Sequence, residues 1–277
     1  MKAAPSLVQS LSPRGLPAVA EAIMTTDTFP KLISEEISIG RKKVHIVGMA
    51  KGAGMMHPDM ATMLCFVLTD LAVSPALLHR FLRRSTDQSF NRITVDGDTS
   101  TNDLVLVMAN GLAGNPLLDN PQATGARVFS KALDQLLLKL ARMCVQDGEG
   151  ATKEVTLRVE GTRNEEEART LALTVAHSPL VKTALFGQDA NWGRIMAALG
   201  RAGVSFDPEK VDIYFDRIQI VKNGISKGPK EEALAGAVLK KQSLTIRIDM
   251  HQGSAQTQVY TCDLSLDYVR INADYRT

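Results

Sequence analysis

Lys51-Gly-Ala-Gly-Met-Met-His-Pro-Asp-Met-Ala61-Thr62-Met-Leu-Cys-Phe-Val-Leu-Thr-Asp70 is the stretch around which the rest of the chain is organised. Its first half is rich in Gly and Pro and suits neither a regular helix nor a central strand. Its second half, residues 62–68, is almost wholly apolar and reads as a buried strand. Thr62 lies at the junction, directly after the small Ala61. A hydroxyl at the mouth of a buried strand, with a glycine bend close before it, suits a nucleophile. The glycines let backbone approach a ligand, and the strand holds the hydroxyl still. On spacing alone the plainer account is favoured: a loop that enters a core strand and happens to contain a threonine.

The composition sets bounds. The chain has 277 residues, 44% hydrophobic and 22% charged, with a formal charge of +2, the balance of an ordinary globular protein. The length suits one large domain or two intimate halves with an ample core. The near-neutral charge gives no case for nucleic acid, and aromatic residues at 5% make no stacking surface. The short basic run Arg41-Lys42-Lys43 reads as a solvated turn between strands. Cys65, Cys144 and Cys262 lack zinc-type spacing and stand in apolar surroundings, which points to buried free thiols in a reducing compartment. The N-terminus has no apolar run of the signal-peptide kind, and no stretch reaches the roughly 18–20 apolar residues of a membrane span. A cytoplasmic protein is the expectation.

Outward from the central stretch, residues 1–17 read as an irregular lead-in. Leu32 to Gly40 and Val44 to Met49 predict two strands around the basic turn. Ser74-Pro75 predicts a helix start, with Leu77, Leu78, Phe81 and Leu82 on its buried stripe. Residues 91–103 predict a short strand and then a polar turn. Asp96, Asp98 and Asp103 there lack the distal Glu and the flanking helices of a calcium hand. Leu104 to Met108 is a further strand. Gln122 to Val145 is the longest helical pattern, with Val128, Leu133, Leu136, Leu137, Leu140 and Met143 on the apolar side. It ends in Gly148-Glu149-Gly150, which reads as a helix C-cap with a solvated Glu or as a close approach to a ligand. Lys153 to Glu160 alternates as a strand, and helical segments follow over 165–175, 179–186 and 191–199. Trp192 reads as a packing anchor. Val211 to Phe215 and Ile218 to Val221 are short strands, and Glu231 to Lys240 an amphipathic helix. Leu244 to His251 and Gln256 to Leu266 predict an antiparallel hairpin turned by Gly253-Ser254. The chain is expected to end just after a strand.

Six motifs in order carry a resemblance. They are Met24-Thr25-Thr26-Asp27-Thr28, the Lys51-Gly-x-Gly-Met-x-x-Pro-x-Met-Ala61-Thr62-Met-Leu stretch, Thr94-Val-Asp-Gly-Asp-Thr-Ser-Thr-Asn-Asp103, Gly148-Glu149-Gly150-Ala-Thr-Lys153, Gly187-Gln-Asp-Ala-Asn-Trp-Gly-Arg194 and Asn272-Ala-Asp-Tyr-Arg-Thr277. Together they resemble the ornithine acetyltransferase, or bifunctional glutamate N-acetyltransferase, family of arginine biosynthesis. The resemblance runs from about residue 18 to the last residue. It implies an α/β (α+β) fold, a layered sandwich with strands from both sides of a cut mixed in the core. It implies self-cleavage between Ala61 and Thr62, so that residues 1–61 are the C-terminal part of an α-chain and 62–277 a β-chain that begins at its nucleophile. Thr62 would then pass acetyl from N-acetylornithine to glutamate. Thr25, Lys51, Thr62, Glu149, Asn272 and Thr277 are the substrate-binding residues it implies: Lys51 for a carboxylate and Glu149 for an amine. No metal or organic cofactor is implied, and acetyl-CoA stays open as a second donor. The assembly implied is a heterotetramer of two α and two β chains.

Two departures stand beside this. Ala53 occupies a position where the family commonly has Ser. The family also carries roughly a hundred further residues before the matching region, including a Thr-Gly pair that stabilises an oxyanion; the only Thr-Gly here, Thr124-Gly125, follows the nucleophile. Two competing readings remain at this stage. One is an N-terminal-nucleophile amidohydrolase or aminopeptidase; the other is an inactive, shortened relative.

Overall fold

A computed structural model describes residues 4–12, 14–57, 63–99 and 102–274. Of two short helices, α1 (Ala4–Gln9) lies within the segment expected to be irregular and α2 (Leu16–Ala22) starts at its end. Pro17 sits in the first turn of α2, where a missing N–H costs nothing. The chain then forms β1 (Lys31–Ile39), β2 (Lys42–Lys51) and β3 (Leu64–Thr69). α3 (Pro75–Asp87) follows, with the Ser74 side chain accepting from the Leu77 amide at its start. Next come β4 (Leu104–Ala109) and α4 (Thr124–Gln146).

β1 to β4 form one sheet in chain order. β1, β2 and β3 are antiparallel neighbours, and β4 adds parallel to β3 through the α3 crossover. Strands from before Ala61 and after Thr62 thus share one sheet, with β2 hydrogen-bonded directly to β3 from Ile46↔Thr69 to Lys51↔Leu64. α4 lies across β1 and β2. The approach is so close that a Cβ on Gly48 would lie 2.5 Å from the Leu136 side chain and 2.8 Å from that of Leu140. Leu133, Leu136, Leu137 and Leu140 are fully buried there, as the helical spacing predicts. Val128, placed on the same stripe by sequence, is exposed.

The second sheet gathers β5 (Glu154–Thr162), β6 (Asp212–Phe215), β7 (Ile218–Lys222), β8 (Ile225–Ser226), β9 (Ser243–Asp249) and β10 (Ala255–Cys262), in the order β10-β5-β9-β6-β7-β8. α5 (Glu165–Ala176), α6 (Pro179–Phe186), α7 (Trp192–Gly200) and α8 (Pro229–Val238) lie between β5 and β9 in the chain, with α5 packed on β5 and β10. Val155, Leu157, Leu171, Ile195, Leu199 and Ile246 centre a second apolar cluster. Trp192 packs against it as an anchor, its indole N–H donating to Glu232 (3.2 Å).

Three expectations need correction. β9 and β10 do not pair as a hairpin: β5 lies between them, parallel to β9 and antiparallel to β10. The turn at residues 250–254 passes over the end of β5, where the Met250 and Gln252 amides donate to Glu160 O (2.9 Å) and Gly161 O (2.6 Å). The chain's last described segment is a helix, α9 (Leu266–Asp274), not the end of a strand. The short strand expected near residue 93 is a 3₁₀ turn, Phe90–Arg92, followed by a single bridge from Ile93 to Tyr260 of β10.

Candidate active site

The Lys51–His57 loop leaves β2 at the point where α4 ends and α9 begins to pass. Beneath it lies a buried charge cluster. Lys31 is fully enclosed, and its ammonium donates to Asp27 Oδ1 and Asp147 Oδ2, both at 2.5 Å. Asp27 also accepts from the Gly52 amide (2.8 Å) and the Thr25 amide (3.1 Å). Asp147 accepts from the Thr28 amide (3.0 Å) and hydroxyl. The loop's second residue is therefore fastened to the Thr25–Thr28 turn, and that turn to the end of α4. Burial pushes the Asp27 carboxyl up. The Gly52 amide, the Lys31 ammonium and the Thr25 amide outweigh it and hold Asp27 below the usual carboxylate range.

The loop's outer side is held by Asp96. Its two oxygens accept from the amides of Met55 (2.7 Å) and Met56 (3.0 Å), which fixes Met55 in a left-handed conformation (φ 51°). Thr94 donates its hydroxyl to Met56 O (2.9 Å), and Tyr268 from α9 donates to Asp96 (3.4 Å). Asp103 accepts from the Met63 amide (2.8 Å), the peptide that follows Thr62. Burial raises the Asp103 pKa; the Met63 amide and the nearby Lys51 charge oppose that rise. The polar turn over residues 94–103 thus supports the loop, as the sequence pattern suggests.

Three of the residues singled out by sequence lie on or against this loop. Lys51, at the end of β2, is buried. Among the described residues its ammonium has no hydrogen-bond or ion-pair partner. A nearly enclosed cation of this kind favours an anionic ligand. Glu149 is held by its amide on Ala53 O (2.8 Å), and its carboxylate lies against Gly54, where a Cβ would come within 2.6 Å of it. Asn272 of α9 donates to the same carboxylate (2.7 Å). Thr25 is exposed at the turn beside Asp27, joined to the loop through that carboxylate. Ala61, Thr62 and Thr277 lie outside the described residues.

Lys31, Asp147 and Tyr268 belong to this site and were not found by sequence reasoning. Lys31 and Asp147 stand 116 residues apart, so no local spacing signals their pairing. His177, at the end of α5, also reaches the loop, stacking on His57 with ring centroids 4.7 Å apart. Its Nε2 is buried without a hydrogen-bond partner among the described residues. Burial, with the charges of His57, Lys182 and Arg201, pushes its pKa down to about 4. Below about pH 6.5 an unfolded histidine takes up a proton that the native one refuses until near 4, so stability falls as pH drops across that interval. Urea midpoints at pH 7 and pH 4.5 test this: the loss on acidification is expected to be smaller in His177→Phe, which keeps a ring for the stack.

Among the described residues no group of three or more His, Cys, Asp or Glu side chains is arranged to hold a metal ion. The three cysteines are free and buried.

A profile of the ArgJ family matches residues 1–277. The chain belongs to the ArgJ family. It is 52% identical over 273 residues to the arginine biosynthesis bifunctional protein ArgJ of Geobacter sulfurreducens, covering 99% of this chain and 69% of that protein. It is 53% identical over 271 residues to the protein of the same name from Desulfotalea psychrophila, covering 98% and 69%. The crystal structure of ArgJ from Bacillus halodurans superposes with a TM-score of 0.72 at 44% identity, covering 76% of this chain and 98% of that one. The fold is therefore the mixed α/β fold of this family, and the protein is an arginine-biosynthesis acyltransferase of the ArgJ type.

Proposed function

We propose that the chain cuts itself between Ala61 and Thr62, and that the freed Thr62 carries acetyl from N-acetylornithine to glutamate. The observation that supports the reading best is the pairing of opposite charges on one loop. The buried Lys51 ammonium, which has no hydrogen-bond or ion-pair partner among the described residues, and the Asn272-bound Glu149 carboxylate flank the glycines of residues 52–54. An amino-acid substrate carries the complementary pair: a carboxylate for Lys51 and an ammonium for Glu149.

The cleavage begins with Thr62 Oγ attacking the Ala61 carbonyl. The acyl group moves from nitrogen to oxygen, and water then hydrolyses the ester. The new α-amine has a pKa of about 7.7–8.0, so it is partly neutral at cellular pH and can take the hydroxyl proton during attack. Acetyl passes to Thr62 Oγ with release of ornithine. Glutamate's amine then takes it from the ester, which restores the hydroxyl. The β2–β3 hydrogen bonds on either side of the cut hold both pieces in one sheet. The Asp103 bond to the Met63 amide fixes the peptide next to the nucleophile. We read Thr25 and Thr277 as further substrate contacts, the assembly as two copies of each piece, and the setting as the cytoplasm.

Transfer is tested with N-acetylornithine and glutamate, following N-acetylglutamate formation; acetate released without an acceptor would instead indicate an amidohydrolase, and acetyl-CoA in place of N-acetylornithine tests the second donor. Glu149→Gln removes a charge-assisted bond of about 1.5–3 kcal/mol, so KM is expected to rise roughly 10- to 100-fold with a smaller change in kcat. Gly54→Ala should raise KM in the same way by pushing the carboxylate aside. The displaced atoms are the free end of a flexible side chain, so its thermal unfolding should move little.

A further inference from the structure

A second basic concavity lies far from the Lys51 loop, between α3 and the N-terminal half of α4. It is a cavity of about 690 Å³, floored by the buried ring of Phe81, with Arg80, Arg84, Arg127, Lys131 and Asp134 around it. Its one carboxylate is already committed. Asp134 accepts from Arg84 (2.5 Å) and from the Ser85 hydroxyl (2.6 Å), and Arg84 also donates to Ser130 (2.5 Å) while lying 5.9 Å from the Phe81 ring centroid. Among the described residues the Arg127 guanidinium donates to the neutral Gln122 (2.9 Å) and to no other side chain. Among the described residues, Arg80, Arg127 and Lys131 have no carboxylate partner. Three uncompensated cations thus converge on a concavity of ordinary ligand size, and its walls concentrate their field.

This place is separate from the site that handles amino acids. Lys131 and Asp147 lie on the same helix, about 24 Å apart along its axis from the helical rise. A ligand with a single negative charge would leave most of the cation field unused. We propose that the α3–α4 cavity binds a small, multiply charged anion, a phosphorylated metabolite or a polycarboxylate, through Arg80, Arg127 and Lys131. Arg84 stays with Asp134 as a fixed wall.

Isothermal titration of the full chain with inorganic pyrophosphate and, separately, with citrate tests this at constant ionic strength. The variants are Arg80→Gln/Lys131→Gln in the cavity and Arg41→Gln on the distant β1–β2 turn. Among the described residues the side chains of the cavity pair make no hydrogen bond or ion pair, so thermal unfolding is expected to stay as in the unaltered chain. Saturable binding that weakens about tenfold or more in the double variant, and not in Arg41→Gln, supports the site. Pyrophosphate alone would mark phosphoryl recognition, citrate alone polycarboxylate recognition, and both would mark charge as the criterion. Binding no stronger than that of chloride, or binding that the double variant leaves intact, would overturn the proposal.

Discussion

Lys31→Met is expected to destabilise the chain by roughly 3–5 kcal/mol, read from urea unfolding at pH 7. Few single changes should cost more, because a domain's whole stability is about 5–15 kcal/mol. The loss does not come from the side chain's packing, since Met fills similar space. It comes from what stays behind. Asp27 and Asp147 would face each other in a closed interior without the cation that now lies 2.5 Å from each. In the native chain burial pushes the Lys31 pKa down, and the acidic groups around it, Asp147 and Asp27 among them, outweigh that and raise it. Removing the ammonium takes away part of what offsets burial at Asp27, whose folded pKa then rises above its unfolded one. Protonation relieves that strain, so the gap between Lys31→Met and the parent should narrow as pH falls from 7 towards 4.5. A gap that is constant with pH would mean that the charges are not the cause. The variant should also lose acetyl transfer at temperatures where it stays folded, because Asp27 holds the Gly52 amide at the root of the loop.

Thr62→Ala is expected to have the largest effect on activity. Alanine lacks the hydroxyl that begins the acyl shift and the hydroxyl that carries acetyl, so both steps fail together. Loss of a nucleophile that acts within a coupled set costs about 10⁴-fold or more. Unlike Lys31→Met, it should leave urea unfolding close to normal, since it keeps the buried Asp27–Lys31–Asp147 charge cluster intact. Thr62→Ser keeps the hydroxyl and the amine and is expected to recover part of both cleavage and transfer. If Thr62→Ala transferred acetyl at the parental rate, Thr62 would not be the nucleophile.

Much of this architecture was legible in the sequence. Loose alternation marked β1, apolar runs over 44–49 and 62–68 marked β2 and β3, and Ser74-Pro75 marked the start of α3. Helical spacing marked α4 almost to its ends. Alternation says that a segment is a strand but not which strand lies beside it. β9 and β10 were adjacent in sequence and carried a plausible turn, yet β5, about eighty residues earlier by position, sits between them. α9 was missed because its residues bury none of their side chains fully, which leaves no apolar stripe to read.

The site divides in the same way. Lys51, Glu149 and Asn272 entered through family motifs, and the fold brings all three to the Gly52–Gly54 loop. Asp96 and Asp103 were legible as a supporting turn because their motif is local. The Asp27–Lys31–Asp147 cluster was not. A lysine in a strand looks like a solvated lysine until a partner from the far end of a 23-residue helix closes over it.

The central claim concerns one peptide bond. The intact mass of the purified chain under denaturing conditions tests it most directly. The account predicts two species whose masses place the break between Ala61 and Thr62, and a Thr62→Ala chain that remains whole at 30.0 kDa. A single 30.0 kDa species from the unaltered chain, indistinguishable from Thr62→Ala, would contradict self-cleavage and with it the role proposed for Thr62.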